Sequence, residues 1–597
     1  MKVSTGTLMP IQFQLRKFFE MKNVFKTVME NTNNIANENC LNHFINGTLW
    51  KSKLSAFTAV QIVIPYHLYA DETQINNALG THCSPGLENC VYYSFPTIPA
   101  QFTSRLQNIF VAMLSSAADT KKFGPDACFG QLVQELNNLA QQGIKINVEG
   151  EEKTIFFVLG LFLGDNAALN SILGFNPCSS TVFCKHCRLT KNETQKATTE
   201  VVSMIRNEEN YEEDLLMDDE FKTGVKWNSI FNSIFLFHVT HSAGVDIMHD
   251  INEGILRYNM SSIIRSFTSR KIFKLKTLND RKRNFVYGHP DSGNRSEVDL
   301  KQKHLKKAKL TMTASEMMTF FQIFPFLVGD LIDPNDETWL FYLKTVEVVD
   351  LVYQTSYTET DLIKLQNSIA EMNSSYIKLF NQTLKPKHHF LTHYPRLIRE
   401  FGPLRYISSI RYEAKHRIVK KYTKNTESRK NISYSIGRKL QYEFAKTVTT
   451  AENLQNILIY KHPSVITLST QSYFSKIESS DKLNEIAQIE ISDVTSLELN
   501  GIIFSQNRYI PKKSESGEIT VWNILNILVV PQREAYLLCR IHSRAVWCPH
   551  YACFEITELI SDETIILEDV GDLLKVHVLP VFIYSFKGKK MFRPRYY

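Results

Sequence analysis

Apolar residues recur with a helical period at the start of the chain and with a strand period soon after it. LRKFFEMKNVFKTVMEN places the apolar residues from Leu15 to Val28 on one helix face. β-Rich runs broken by turn residues follow in FTAVQIVIPYHLYAD and VYYSFPTI, before a helix pattern, ACFGQLVQELNNLAQQG, that ends at Gly143. The run INVEGEEKTIFFVLGLFLGD then predicts a strand pair that leads to Asp165. Strands, a helix and more strands in this order predict a mixed α/β sheet.

Helix patterns dominate residues 190–400, and short alternating strands dominate the C-terminal part. The basic segment 275–309 contains the turn residues GHPDSGN and is predicted to be a loop. Residues 411–460 are predicted to be helical and carry Glu413. A polar stretch near 476–498 precedes strand patterns from GIIFSQNRYI to HVLPVFIYSF. Their spacing predicts a small barrel or sandwich.

Length and composition indicate a multidomain globular protein. At 597 residues the chain is too long for one simple core, so we expect three or four domains or subdomains. The N-terminus has no uninterrupted apolar region typical of a secretory signal. The longest apolar run, Ile155 to Leu163, is shorter than the ~20 residues of a membrane span. We therefore expect an intracellular, reducing compartment, where a C-x-x-C motif indicates metal or redox chemistry before a disulfide.

Four potential metal ligands lie in two distant segments. Cys184 and Cys187 form a C-x-x-C in FCKHC, and His389 and His393 form an H-x-x-x-H in HHFLTHY. Thiolate and imidazole suit tetrahedral zinc, and histidines four residues apart on a helix can face one ion. His388 is an alternative to His389, and a histidine pair satisfied by other partners is the plainer interpretation. HFLTH lacks the glutamate of the metalloprotease H-E-x-x-H motif.

Three acids have positions that suit divalent-metal chemistry. Asp71 and Asp165 each end a predicted strand, and Glu413 lies in the predicted helix that follows the histidines. Carboxylate oxygens bind Mg²⁺ together with substrate phosphate, and two such ions can drive phosphodiester transfer. For any single acid, a strand-end turn or a helix cap is the more common role. The adjacent Glu72 leaves a choice between two acids at the first strand.

Basic residues are concentrated in two stretches, although the net charge is only +7. Arg265 to Lys309 contains fourteen Lys and Arg residues against four Asp and Glu residues. Lys415 to Lys439 begins directly after Glu413. Such stretches are typical of a polyanion-binding protein, although a solvated face is an equally good interpretation of either one alone. The second stretch supplies the predicted contacts to such a polyanion, namely Lys415, Arg417, Lys420, Lys421 and Lys424.

Five segments, taken together and in order, resemble CACTA-type (En/Spm-like, CMC superfamily) DDE transposases in their arthropod form. They are YADETQINNALG, GDNAALNSILGF followed by FCKHCRL, VDIMHDINEGIL, KHHFLTHYPRLIREFGPL, and RYEAKH. The placement of the C-x-x-C and the paired histidines is also similar to that in the V(D)J recombinase. The resemblance covers nearly the whole chain.

The resemblance implies an RNase H-like mixed-sheet core interrupted by a long, mainly helical insertion. It implies a catalytic triad of Asp71, Asp165 and Glu413 that binds Mg²⁺ or Mn²⁺, and a structural zinc on Cys184, Cys187, His389 and His393. His249, in VDIMHDINEG, is expected to have a structural role, with Asp246 and Glu253 on the same helix face. Family members commonly carry an N-terminal DNA-binding region, so either the chain is truncated or its basic stretches recognise DNA.

The same resemblance divides the chain into six parts. The expected parts are an N-terminal helical segment (1–55), the first part of the core (56–190), the helical insertion (191–400), the last part of the core with the Glu413 helix (401–460), a linker (461–498) and a C-terminal β domain (499–597).

Two functions follow as expectations from the resemblance. The first is a nuclear DDE transposase that cleaves and transfers DNA strands at transposon ends, acting as a homo-oligomer on double-stranded DNA and without a membrane partner. The second is a transposase-derived host protein that binds DNA or chromatin without catalysis.

Overall fold

The computed structural model describes most of the chain. The described residues are 6–75, 87–289, 291–426, 431–450, 454, 457–514, 516–531, 534–575 and 578–594. They belong to two compact units, of which the first comprises Met1–Ile255 and Glu347–Leu454 and the second Leu256–Val346 and Gln455–Tyr597. The segment 191–400, expected as one insertion, is thus divided between the two units.

Helices make up the larger part of the regular structure. In chain order they are α1 (Ile11–Phe19), α2 (Val24–Ala36), α3 (Thr48–Leu54), α4 (Ala100–Thr103), α5 (Ala117–Gln141), α6 (Asn166–Leu173), α7 (Lys191–Thr194), α8 (Glu208–Met217), α9 (Glu220–Thr223), α10 (Val239–Ser242), α11 (Leu256–Ser269), α12 (Leu275–Asn284), α13 (Gln302–Lys306), α14 (Ala314–Val328), α15 (Glu337–Val352), α16 (Glu359–Phe380), α17 (Pro386–Thr392), α18 (Tyr394–Phe401), α19 (Ile410–Lys424), α20 (Ile432–Thr450), α21 (Asp481–Ile486) and α22 (Val570–Lys575). A π-helical segment, Met248–Ile255, precedes α11.

Strands lie mainly at the two ends of the chain. In chain order they are β1 (Thr7–Leu8), β2 (Ile62–Gln74), β3 (Leu87–Ser94), β4 (Phe110–Ser116), β5 (Ile144–Val148), β6 (Glu151–Leu163), β7 (Leu458–Lys461), β8 (Ser464–Thr467), β9 (Glu490–Val494), β10 (Ser496–Leu499), β11 (Ile502–Ser505), β12 (Tyr509–Lys513), β13 (Ile519–Val529), β14 (Ala535–Cys548), β15 (Cys553–Leu559), β16 (Ile565–Asp569), β17 (Tyr584–Phe586) and β18 (Lys589–Phe592).

A six-stranded mixed sheet, in the order β1-β4-β3-β2-β6-β5, organises the first unit. β2, β3 and β4 pair antiparallel in chain order, whereas β6 follows α5 and lies parallel beside β2. β5 and β6 form an antiparallel hairpin whose turn residues, Glu149 and Gly150, both have positive φ. The C-terminal ends of β2 and β6 therefore lie side by side.

Alternation along β2 directs its side chains to two different partners. Leu68 and Ala70 pack in a core with apolar residues of α1 and α5, such as Phe18 and Phe129. Burying a ring of this size stabilises the fold by about 1.5–3 kcal/mol. Tyr69, on the opposite face, stacks on a residue of α19. The sheet is thus covered by α1 and α5 on one face and by α19 on the other.

The second unit contains the remaining two sheets. One has three strands in the order β11-β10-β7, and the other has nine in the order β17-β18-β15-β14-β13-β9-β8, with β12 and β16 paired to its central strands. The strand-rich C-terminal part is confirmed. The expected linker 461–498 is not a simple connection, because it contains β8, β9 and α21.

The mixed α/β class with several sheets is confirmed, and the loop predicted over 275–309 is wrong, since α12 and α13 lie in it. Leu278 and Leu305 are buried in these two helices and anchor them despite the surrounding charges.

None of the helices in the described ranges has both the length and the apolar character needed to cross a bilayer.

Candidate functional site

Asp71 and Asp165 lie at the same edge of the main sheet. The parallel ladder between β2 and β6 ends with Tyr69 opposite Leu163, and each aspartate lies two residues further along its own chain segment. Neighbouring strands are about 4.8 Å apart, so the two aspartates extend from adjacent backbones. This arrangement follows from the parallel return of β6 after α5.

Asp165 has a local structural role as well. Its Oδ1 accepts a hydrogen bond from the amide of Ala168 at 2.5 Å and caps the N-terminus of α6. Gly164 allows the strand end to approach β2, because a Cβ at this position would lie 2.7 Å from the carbonyl oxygen of Ala70. The cap uses one carboxylate oxygen and leaves the other for a ligand.

Asp71, rather than Glu72, lies on the side of the sheet covered by α19. Strand alternation puts Glu72 on the opposite face, where it is exposed. The Asp71 Oδ2 is 3.3 Å from the Tyr69 hydroxyl and 3.4 Å from Nε2 of His416. The other ring nitrogen of His416 is 2.8 Å from the Tyr92 hydroxyl, which fixes the imidazole against the sheet.

Glu413 is presented by helix α19, which packs on the same sheet face. The Tyr412 ring stacks on Tyr69 with centroids 4.4 Å apart and planes 3° apart, and its hydroxyl is 2.6 Å from the Ser94 hydroxyl. Glu413 and His416 are three residues apart and therefore share one side of the helix. Since His416 reaches Asp71, Glu413 is brought to the same edge of the sheet.

A buried aspartate connects the start of α19 to a histidine beside Glu413. Asp246 accepts hydrogen bonds from the amide of Ser409 at 3.1 Å and from its hydroxyl at 2.6 Å. It also hydrogen-bonds Nδ1 of His249, whose Nε2 lies 3.4 Å from Oε1 of Glu413. Asp246 therefore orients both the helix that carries Glu413 and the imidazole that faces it.

The surroundings shift the protonation of both groups. Burial raises the pKa of Glu413 to about 7, assisted by the charges of Asp246, Asp71 and Glu253 and opposed by His249. Burial disfavours the charged form of His249, but its hydrogen bond to Asp246 and the neighbouring acids outweigh this and raise its pKa to about 9. The site has an excess of negative charge that His249 only partly offsets.

The three acids share one environment but do not form a tight cluster. Burial, followed by the charges of Asp71, Asp246, Glu413 and Asp165, holds the pKa of Tyr69 well above its usual value. All four acids are thus near enough for their charges to act on the Tyr69 phenol. Within the described ranges, the oxygens of the predicted triad do not all lie within 4.8 Å of one another.

Cys184, Cys187, His389 and His393 form a buried cluster that can hold a metal ion. Their four ligand atoms lie within 4.8 Å of one another. Nε2 of His393 is 3.4 Å from the Cys184 sulfur, Nε2 of His389 is 3.3 Å from the Cys187 sulfur, and the two nitrogens are 3.3 Å apart. His388 points elsewhere, with Nδ1 accepting from the amide of Lys385 at 3.2 Å.

Groups around the cluster support a metal-bound state. The amide of His186 donates to the Cys184 sulfur at 3.4 Å. Burial opposes ionisation of Cys184, but its hydrogen bond with Cys187 and the nearby His393 and His389 hold its pKa well below the usual value. Nδ1 of His393 is 2.6 Å from a Glu200 carboxylate oxygen, a partner typical of metal-bound histidine.

A buried polar network joins the Cys/His cluster to the acid site. Asp250 accepts from Asn166 at 2.8 Å, from Lys387 at 2.8 Å and from Tyr394 at 3.0 Å. Lys185, inside the C-x-x-C, donates to Asn166 at 2.5 Å. Asn166 follows Asp165 directly, so the network runs from the Cys/His cluster to the strand end that carries this acid.

The predicted DNA-contacting residues of α19 differ in exposure. Lys415 is buried, and its ammonium donates to the carbonyl oxygen of Leu106 at 2.9 Å, so it cannot contact a phosphate in this conformation. Its neighbours further along the helix are exposed, namely Arg417, Lys420, Lys421 and Lys424. Residues 427–430 of the same stretch lie outside the described residues.

Several cations of the 265–309 stretch already have partners within the second unit. Arg281 pairs with Asp330 at 2.5 Å, and Arg270 pairs with Asp336 at 2.5 Å. Lys282 is buried and donates to the carbonyl oxygens of Ser296 and Val298. The exposed lysines lie in two groups, at 271, 274 and 276 and at 301, 303, 306, 307 and 309.

The sequence does not predict all of the polar residues that hold the three acids in position. Asp246 and His249 were expected to be structural, and His416 and Asp250 were not identified. The spacing Glu413-x-x-His416 could have indicated His416, since it places both side chains on one side of the helix. The role of Asp250 depends on three partners, Asn166, Lys387 and Tyr394, which are all distant from it in the sequence, so no local pattern predicts it.

No family model and no curated protein matches the chain. Assignment of a function therefore depends on the quoted motifs and on this geometry.

Proposed function

We propose that this chain is a DDE-type transposase, similar to the CACTA group, which cleaves and joins DNA strands at transposon ends. The observation that carries the proposal is that Asp71 and Asp165 follow adjacent strand ends, and that the helix of Glu413 packs on the same face of the sheet and contacts Asp71 through His416. A carboxylate set of this kind is what metal-dependent phosphodiester transfer uses.

The strand order supports an RNase H-like core. Three antiparallel strands in chain order, β2, β3 and β4, are followed by a helix and by β6, which is parallel to the first of them. This is the arrangement expected of such a core, with acids at the ends of its first and fourth strands. β5 departs from it, because it pairs antiparallel with the beginning of β6.

The acids fit a divalent cation such as Mg²⁺ or Mn²⁺. The raised pKa of Glu413, about 7, results from burial and from repulsion by neighbouring acids, and a cation would relieve that repulsion. When bound, the metal would activate the attacking oxygen and stabilise the leaving oxygen of the phosphodiester. Rotation of the three side chains toward the ion would bring their oxygens closer together.

The residues around the acids have separate roles in this proposal. His416 and His249 orient Asp71 and Glu413, respectively, through contacts of 3.4 Å. Protonated His249 would also place a positive charge beside the substrate phosphate. The exposed cations of α19, beginning at Arg417, extend from Glu413 and would hold the DNA backbone.

The Cys/His cluster fits zinc. Tetrahedral zinc with bonds of ~2.0–2.3 Å has ligand–ligand separations of about 3.3–3.8 Å. The separations of 3.3–3.4 Å among the sulfur and nitrogen atoms match this geometry. A structural zinc here would join the C-x-x-C segment to α17.

DNA as substrate also implies a nuclear protein, and action on two transposon ends implies a homo-oligomer.

The test replaces each acid without changing its shape. Asp71→Asn, Asp165→Asn and Glu413→Gln should each abolish nicking of a duplex that carries the inverted repeats flanking the gene, in Mg²⁺ or Mn²⁺, while DNA binding persists. Asp165→Asn is the sharpest variant, because asparagine caps a helix as well as aspartate does. Glu72→Gln, one residue from Asp71 but exposed on the other face, is the matched control.

Two results would contradict the proposal. Wild-type protein that binds this DNA but never cuts it in either metal would indicate a transposase-derived binding protein. Cleavage that survives Asp165→Asn would remove this residue from the triad.

A further inference from the structure

A second group of potential metal ligands lies in the first unit, outside both sites described above. His238 precedes helix α10, His241 lies within it, and Glu208 is the first residue of α8. One ring nitrogen of each histidine and one carboxylate oxygen of Glu208 all lie within 4.8 Å of one another. Nε2 of His241 is 2.8 Å from Oε1 of Glu208.

Each histidine has a hydroxyl partner on its other nitrogen. Nδ1 of His238 is 2.8 Å from the Thr240 hydroxyl and also accepts from the Thr240 amide at 3.4 Å, and Nδ1 of His241 is 3.1 Å from the Ser242 hydroxyl. With a metal on Nε2, each hydroxyl would accept the Nδ1 proton, and the long bond from the Thr240 amide to His238 would be given up. Metal-bound histidines typically have such a partner on the distal nitrogen.

The histidines are held in the neutral form that binds metals. Burial lowers the pKa of His238 to about 4. Burial also lowers the pKa of His241, opposed by its hydrogen bond to Glu208 and assisted by the charge of Lys53. Lys53 is the cation that would oppose a metal here, but burial lowers its own pKa to about 7.

The group is accessible to solvent, unlike the Cys/His cluster. The side chains of Glu208 and His241 are 65% and 38% exposed, whereas the four Cys/His ligands are buried. Three protein ligands with an open side leave a coordination position for water or for another ligand. Two imidazoles and one carboxylate suit zinc and related divalent transition metals.

We propose that His238, His241 and Glu208 form a second metal site, which binds a zinc-like divalent ion with one open coordination position. Without a metal, neutral His241 donates its Nε2 proton to Glu208; the ion would take this position as the proton moves to Nδ1, where the Ser242 hydroxyl accepts it. It would connect the start of α8 to the segment at Ala243, which forms a parallel bridge with Phe162 at the end of β6. The site is independent of the proposed transposase activity.

Cobalt can report this site directly in the full-length protein. After the Cys/His cluster has been filled with one equivalent of zinc, Co²⁺ should bind as a second equivalent. Its d–d bands should appear in the visible spectrum, without the near-ultraviolet sulfur-to-cobalt charge-transfer band that thiolate ligands give. Glu208→Gln and His241→Asn should each weaken this binding by at least ~10-fold, the loss that removal of even a supporting partner produces.

Matched controls separate the site from general surface binding. Glu209→Gln changes the next residue of α8, and His462→Asn removes an exposed histidine from the second unit. Both should bind cobalt like the wild type. The rise in Tm that Co²⁺ gives the zinc-loaded wild type should disappear in Glu208→Gln and His241→Asn only. Absence of a second equivalent, or equal binding by Glu208→Gln and wild type, would overturn the proposal.

Discussion

Glu413 shows how a side chain can be destabilising in the fold and still useful in a site. Its pKa rises from 4.5 to about 7 because it is buried near other acids. A folded state that holds this proton more tightly than the unfolded chain loses stability as pH increases from about 4.5 to 7. Unfavourable charge at such a position is typical of functional sites.

The first prediction concerns this pH dependence. In chelator at pH 8, Glu413→Gln should have a higher Tm than wild type, because the variant lacks the repelled charge. Near pH 4, where the wild-type carboxyl is protonated, the difference should vanish. Thermal melts at both pH values measure this, with exposed Glu72→Gln as the control. A lower Tm for Glu413→Gln at pH 8 would contradict the charge repulsion around Tyr69.

Some residues of the site could be predicted from the sequence and others could not. The C-x-x-C and H-x-x-x-H spacings are local, so the sequence predicts the four residues of the cluster, and the geometry selects His389 over His388. Lys415 could not be placed, because a lysine in a basic helix is usually exposed. Its burial depends on the Leu106 carbonyl, which is about three hundred residues away.

At the scale of elements, the Cys/His cluster connects the C-x-x-C segment to α17. The second prediction is that Cys187→Ser releases about one zinc per chain and lowers Tm. The stability lost is on the order of 4 kcal/mol when free zinc exceeds its Kd about 1,000-fold. Zinc content and thermal melts measure this. Cys178→Ser, a half-buried cysteine packed beside the cluster, should retain its zinc. Equal zinc content in both variants would argue against the cluster.

The network around Asp250 connects α17 to the strand end at Asp165. The third prediction is that Asp250→Asn destabilises the protein by about 1.5–3 kcal/mol, because it removes the charge to which the partly buried ammonium of Lys387 donates. Lys387→Met in the same chain should restore part of this loss, since it removes the unpaired cation. Urea unfolding of the two single variants and the double variant measures the coupling. Purely additive losses would show that the two residues do not interact.

Helices and strands could be predicted where apolar residues recur with one clear period along the segment. The helix that ends at Gly143 is confirmed, since α5 stops at Gln141 and Gly143 has a φ of +68°. Helix α12 was missed because its many charges and the adjacent GHPDSGN indicated a loop. The structure anchors it through pairs such as Arg281 with Asp330, which are distant in sequence.

For the whole molecule, the two basic stretches belong to different units. The 415–439 stretch lies in the first unit with the acids, and the 265–309 stretch lies in the second. The sequence indicated that both could bind DNA, but it could not show which cations are already paired or buried. The described contacts leave the exposed cations of α19 as the stronger predicted DNA contact, because they follow Glu413 on the same helix.

The last prediction is a change in the salt dependence of DNA binding. Each phosphate contact contributes ~0.9 to the slope of log K against log salt, so the triple variant Lys420→Gln, Lys421→Gln, Lys424→Gln should reduce the slope by up to about 2.7. Duplex affinity should fall for all sequences equally, because phosphate contacts carry no sequence information. Fluorescence anisotropy over a range of salt concentrations measures both effects. Lys415→Gln is the matched control from the same helix, and it should lower Tm without changing the slope, since its ammonium is buried against Leu106. An unchanged slope in the triple variant would show that α19 does not contact DNA.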